Sequence, residues 1–317
     1  MRAHLISTNL KKSDMYKNKI ILKNLLLGSF FASLSAVLGG STFVFTRFLV
    51  ADIDPFTLSF LRYGLTGLIL FLITLTAFMK KKFIKNDLIP LSFLGLAMIT
   101  LFPNFMALGL EHTTAARAGL LYATMPLCTI IIAYFFNIEK ITFNKSLAVL
   151  IAIGGVSFCM SEKVGNNFEN TLKGDFLMML GVLSASCFTV FSGKFLKKYG
   201  NIPVMIYVIF IGTVLNFFIS IFFGNSFENL FEISKFQIVA LVMLIIPGGV
   251  IMMFCWGKAL QLISPTQAAI SLGFNPLSAI FLGSIILNEE ITFNLVVGFF
   301  SIMMAIILAN WRPKEKS

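Results

Sequence analysis

A chain of 317 residues with 57% hydrophobic and only 12% charged side chains, and a mean hydropathy of +0.90, lies outside the soluble range of about 45–50% apolar and about 25% charged. Its place is a bilayer. The net charge of +11 would suggest nucleic acid in a soluble chain, but here the basic residues cluster beside apolar runs as orientation signals, so no nucleic-acid partner is expected.

The cysteine and histidine inventory points away from metal and catalysis. Cys128, Cys159, Cys187 and Cys255 fall in apolar runs without Cys-x-x-Cys spacing, and the two histidines are His4 and His112. Such cysteines read as packing residues. No metal or other cofactor is expected, and the chain does not read as an enzyme.

In chain order, residues 1–24 are polar and basic for longer than a signal peptide allows and read as a mobile cytoplasmic tail. Apolar runs follow near residues 25–50, 56–79, 88–110, 115–136 and 147–161, then near 176–193, 202–224, 236–257, 266–287 and 295–311. About 20 residues of helix cross a hydrocarbon core, so the chain is expected to be an all-α membrane protein with ten transmembrane helices. The connections between spans three and four and between eight and nine are short enough to demand tight antiparallel hairpins.

The chain is built twice. Glu139, Ile141, Thr142, Phe143 and Asn144 return 150 residues later as Glu289, Ile291, Thr292, Phe293 and Asn294. The repeats are placed at 25–161 and 174–311, joined by an outer linker at 162–173 and followed by a cytoplasmic tail at 312–317. With a cytoplasmic N-terminus, 19 Lys and Arg residues fall on the inner side and 5 on the outer, so both termini are expected in the cytoplasm of an inner-membrane protein. Five spans per repeat, an odd number, then make the repeats inverted. Internal inversion is characteristic of secondary transporters, whose substrate path lies between the halves. No Walker motif favours a primary pump. Glu111, Glu139, Glu162, Asp175, Glu289 and Glu290 all mark span ends in this reading, which argues against direct proton coupling through a deep carboxylate.

Arg62 stands seven residues past Pro55, about 10 Å into the membrane at 1.5 Å per residue. Insertion of a central arginine costs roughly 2.5–3.5 kcal/mol, so it should face the protein interior or a water-filled cavity, either as ligand or gate for an anionic group or as a tie between helix-end carbonyls. Pro126 and Pro276 each remove a helical hydrogen bond and read as hinges or as simple kinks. Thr42, Asn104, Tyr122, Thr189, Tyr207, Asn216, Trp256, Gln267, Ser271 and Asn275 complete the substrate-binding candidates. The bland alternative is helix packing for the hydroxyls and an aromatic belt for Trp256. The pairs Gly39-Gly40, Gly154-Gly155 and Gly248-Gly249 permit close helix approach.

With Arg62 in the second span, Pro55 and Pro203 opening the second and seventh, Pro126 and Pro276 in the fourth and ninth, and Glu-x-Ile-Thr turns at Glu139 and Glu289, residues 25–311 resemble the EamA-type members of the drug/metabolite transporter superfamily. The resemblance implies a central cavity formed by helices one to four and six to nine, with five and ten outside. It also implies a secondary transporter that moves a small polar or amphipathic metabolite, such as an amino acid, by alternating access, with export the commoner direction. The competing readings are a flippase for lipid or a lipid-linked carrier, and a non-transporting membrane assembly or sensor protein. Partners would be a small-molecule substrate and membrane lipid, with a homodimer left open.

Overall fold

The repeated Glu-x-Ile-Thr-Phe-Asn motif is a helix stop followed by a helix start. In the computed structural model, which describes residues 2–79, 83–138, 142–161, 168–224, 233–263 and 271–310, an asparagine just before each motif adopts the left-handed conformation, Asn137 at φ 55° and Asn288 at φ 54°. Asparagine tolerates this better than bulkier residues. It lets the chain turn back on the preceding helix, where Ile138 N–H donates to Ala133 O at 2.8 Å and Glu289 N–H to Gly283 O at 3.2 Å, the bond pattern that closes a helix C-terminus. The motif threonines then cap the next helices: Thr142 Oγ1 accepts from Lys145 N–H at 3.5 Å and Thr292 Oγ1 from Leu295 N–H at 3.3 Å.

The described chain is helical, without strands, and runs α1 (Arg2–Leu49), α2 (Pro55–Met79), α3 (Lys85–Leu110), α4 (Ala115–Phe135) and α5 (Phe143–Met160). It continues as α6 (Phe168–Tyr199), α7 (Asn201–Phe223), α8 (Lys235–Ile245 extended by Met252–Leu262), α9 (Ser271–Ile286) and α10 (Phe293–Asn310). Eight of these are long and apolar enough to cross a membrane, and α9 and α10 are shorter apolar helices. The tail expected at 1–24 is helical from Arg2, because no Pro or Gly precedes Gly28 to interrupt it. The motif residues Glu139 and Ile141, together with Trp311, lie outside the described residues.

The 150-residue period extends well beyond the motif. Lys85 and Lys235 both open a helix, each is interrupted by a π turn, Leu96–Leu101 and Ile246–Ile251, and α5 and α10 are both 18 residues long. Three helices also lie antiparallel to their own copies. On α2 and α7, Phe56 meets Phe223 and Gly67 meets Ile209. On α4 and α9, Ala115 lies near Gly283 and Gly119 near Ala279. On α5 and α10, Phe158 meets Phe293 and Ala148 clusters with Ala305. A helix can be antiparallel to its copy only when the two-fold axis runs across the helices, so the halves are inverted. They are also interleaved: α1 packs on α8 and α9 of the second half, and α6 on α3 and α4 of the first. The α5–α10 pair packs at the side, against Ala116 and Leu120 of α4.

Five of the six paired glycines sit at such crossings. A Cβ on Gly40 would stand 2.1 Å from Asn275 O, whereas Gly154 faces open space. Gly40→Ala is therefore expected to destabilise by about 1–3 kcal/mol through overpacking, and Gly154→Ala to be neutral or stabilising by roughly 0.5–1 kcal/mol. Thermal unfolding of the detergent-solubilised variants checks the contrast.

Candidate functional site

Helix α2 presents two faces. Thr57, Phe60, Gly64 and Gly67 meet α7. The other face carries Leu58, Ser59, Arg62 and Thr66 toward α1, α3 and α8. Thr66 donates to Ile245 O in the second half at 3.3 Å, and Arg62, one turn before it, faces a gap lined by α1, α2 and α3 of the first half. Its side chain is 4% exposed, its Nη1 has no hydrogen-bond partner, and its guanidinium lies 5.0 Å from the Tyr63 ring centroid. Thr46 on α1, with its Oγ1 also unpartnered among the described residues, lines the same gap together with Ser59, Pro103, Met106 and Ala107, and in this conformation the gap is closed to a water-sized group. Tyr122 packs between Phe43 and Phe102 with ring centroids 5.5 Å from each.

Arg117 is the opposite case. It forms a salt bridge to Asp175 of α6, with both side chains almost fully buried, and donates from Nη1 to Cys159 O at 2.8 Å. Thr113 Oγ1 donates to Asp175 Oδ1 at 2.6 Å. Every charge here is met. Asp175, expected at a span end, lies two turns inside α6, which begins by Phe168, and is fully buried. The sequence signal available was a second arginine in an apolar run, with an acidic residue within reach of the same membrane depth. Nearby, Arg47 Nη1 donates to Leu110 O at 2.5 Å, and the Glu289 carboxylate accepts from Ala115 and Ala116 N–H at 2.8 and 3.1 Å. Glu289 thus caps α4, the helix N-terminus favouring negative charge. Burial pushes its carboxyl above the ordinary carboxylate range, against the pull of the two N–H donors and of Arg47.

The candidate amides separate. Pro103 cannot donate to the carbonyl four residues earlier, that of Ile99, and Asn216 Nδ2 fills the gap at 2.8 Å. Asn104 Nδ2 donates to Asn216 Oδ1 at 2.9 Å and to Thr100 O at 2.8 Å, so the two asparagines form one bridge from α3 to α7, with Asn104 Oδ1 left unpartnered. Asn275 stands elsewhere, buried against Gly39 and Gly40 of α1, with its Oδ1 unpartnered. Pro126 and Pro276 sit in the first turns of helical segments that restart after a break, at Met125 and at Phe274. Symmetric interruptions of α4 and α9 result.

The remaining candidates do not converge on Arg62. Thr42 and Thr189 bond back to Gly39 O and Ala185 O, at 2.7 and 3.0 Å. Tyr207 hydroxyl contacts Ser92 Oγ at 3.0 Å, Trp256 packs with Ala32 and Ile263, and Ser271 is buried in the turn that opens α9. Gln267 lies outside the described residues.

Inverted, interleaved halves with broken helices and buried polar groups between them define a membrane transport protein. The chain belongs to the EamA-like transporter family, whose model matches twice, over residues 26–161 and 172–311, within the drug/metabolite transporter superfamily. It is 27% identical to an uncharacterized transporter of Archaeoglobus fulgidus over 84% of this chain and 91% of that protein. To the uncharacterized transporter YoaV of Bacillus subtilis it is 24% identical, over 85% and 91%. A solved crystal structure shares the fold at a TM-score of 0.63 and 17% identity, covering 90% of this chain and 96% of the other. The protein is thus a multi-pass membrane transporter rather than an enzyme.

Breaking a buried pair strands a charge, at a cost of about 3–5 kcal/mol, whereas apolar replacement of both partners is often neutral. Asp175→Asn is expected to lose stability on that scale and Arg117→Met/Asp175→Leu to recover most of it, as read by thermal unfolding in detergent.

Proposed function

We propose that this protein moves a small polar or amphipathic metabolite, such as an amino acid, outward across the inner membrane by alternating access. The observation that carries the reading is the antiparallel packing of α2, α4 and α5 against their own copies. A scaffold built this way has two nearly equivalent arrangements, one open to each side. The units that rearrange are the repeats at 25–161 and 174–311, with 162–173 as the outer linker and 1–24 and 312–317 as cytoplasmic tails. Pro126 and Pro276 act as hinges because each stands where its helix is already interrupted.

Among the sequence candidates, Arg62 and Tyr122 belong to the substrate site. Asn275 contributes from the second half at a separate point, against Gly39 and Gly40 of α1, where its unpartnered amide oxygen is available to a donor on the solute. Asn104 and Asn216 support the site from behind by holding α3 to α7.

Two measurements test the reading. Purified protein in liposomes is expected to give saturable counterflow of labelled metabolites from an amino-acid mixture, and wild-type vesicles no faster than protein-free ones would reject transport. Reporter fusions are expected to place both termini in the cytoplasm, and a terminus found on the opposite face would reject the proposed topology.

A further inference from the structure

We infer that Arg62, with Thr46 and Ser59 beside it, is a subsite for a carboxylate, so that the solutes this chain recognises are carboxylate-bearing metabolites with an apolar portion. The inference deepens the transport reading and rests on it for the statement that such solutes are cargo.

The argument starts from an imbalance of charge. An arginine stays protonated in a protein, and a buried cation is tolerated when it is paired and hydrogen-bonded. Arg117 meets that condition in full, with Asp175, Thr113 and the Cys159 carbonyl around it. Arg62 is buried to the same degree yet forms no ion pair among the described residues, and its Nη1 has no acceptor. The Tyr63 ring offers its π face at 5.0 Å, which attracts a cation but accepts no in-plane N–H. Arg62 therefore carries donors beyond those the fold uses.

The neighbours specify what would use them. Thr46 Oγ1, buried and unpartnered, adds a hydroxyl donor from α1, and Ser59 lines the same cleft one helical turn before Arg62's neighbour Tyr63. A planar guanidinium beside hydroxyl donors matches the two oxygens of a carboxylate. Leu58, Pro103, Met106 and Ala107 form the rest of the wall, so a carboxylate that enters when this closed gap opens brings the adjoining part of the solute against hydrocarbon. No acidic side chain lines the cleft, which leaves the positive field of Arg62 uncancelled there. The face of α2 that bears Arg62 also bears Thr66, bonded to the second half, so a ligand held by α1, α2 and α3 at Arg62 would lie one helical turn from the contact between the halves.

Paired ligand sets test the subsite on the full-length protein in detergent. A mixture of N-acetylated amino acids keeps the carboxylate, and a mixture of amino-acid amides with the same side chains removes it. The acid set is expected to raise the unfolding temperature by about 2–4 °C, since a ligand that binds only the folded state stabilises it, and the amide set to leave it unchanged. Arg62→Met is expected to abolish that shift while raising the unfolding temperature of the ligand-free protein, because it removes a buried unpaired charge. Arg62→Lys should keep a shift that needs at least tenfold more ligand. An equal response to both sets, no response to the acid set, or a ligand-free Arg62→Met protein less stable than wild type overturns the subsite. The two readings fail separately. Acid-set binding without flux in proteoliposomes overturns transport and supports the subsite, whereas flux that Arg62→Met leaves unchanged overturns the subsite and supports transport.

Discussion

Hydrocarbon offers no hydrogen bonds, so a backbone group freed inside a membrane helix must be answered by protein. Much of this structure follows from that constraint. Pro103 opens the carbonyl of Ile99, and Asn216 reaches across from α7 to take it. The π turn of α8 leaves Ile245 O to Thr66 of α2, and the first N–H groups of α4 are met by Glu289 from the other half. In each case the donor or acceptor that repairs one half comes from its inverted partner. Irregular helices and interleaved packing are therefore one feature, since each half contains breaks that only the other can satisfy.

The same constraint sorts the polar residues. Thr42, Thr189, Ser41 and Ser186 return their hydroxyl protons to carbonyls three or four residues earlier, which makes them nearly apolar to their surroundings. Asn216 is spent on Ile99 and Asn104. What is left unsatisfied among the described residues is a short set of buried side-chain atoms on Thr46, Arg62, Asn104, Thr213 and Asn275. A buried polar atom without a partner is costly, and a fold that supplies partners so consistently elsewhere gives these exceptions meaning.

Much of the architecture was legible in the sequence because its signals are local. Hydropathy gave the spans, the 150-residue recurrence gave the duplication, and the odd number of spans gave the inversion. The Thr and Asn residues at the motif carry capping preferences that act within a few residues. Site residues are settled by distant contacts instead. Asp175 lay at the edge of an apolar run, and only a helix beginning near Phe168 and an arginine 58 residues earlier show that it is buried and paired. Asn104 and Asn216, each an isolated amide in the sequence, are one bridge in space. Arg62 and Arg117 look alike along the chain, and their difference lies entirely in what surrounds them.

Duplication explains the scaffold and also what it leaves unexplained. The π turns, the capped Glu-x-Ile-Thr turns and the helix breaks near Pro126 and Pro276 all occur in both halves. Arg62 does not. Its counterpart helix α7, Asn201–Phe223, contains no lysine or arginine, so Arg62 has no cationic counterpart on the matching helix of the second half. A symmetric pair of arginines would repel each other and present the same face to a ligand in either arrangement. A single arginine instead gives the interior a direction: under the proposed subsite, an anion would be held by the first half alone. In the proposed reading the symmetric elements provide the motion, and the asymmetric charge provides the recognition.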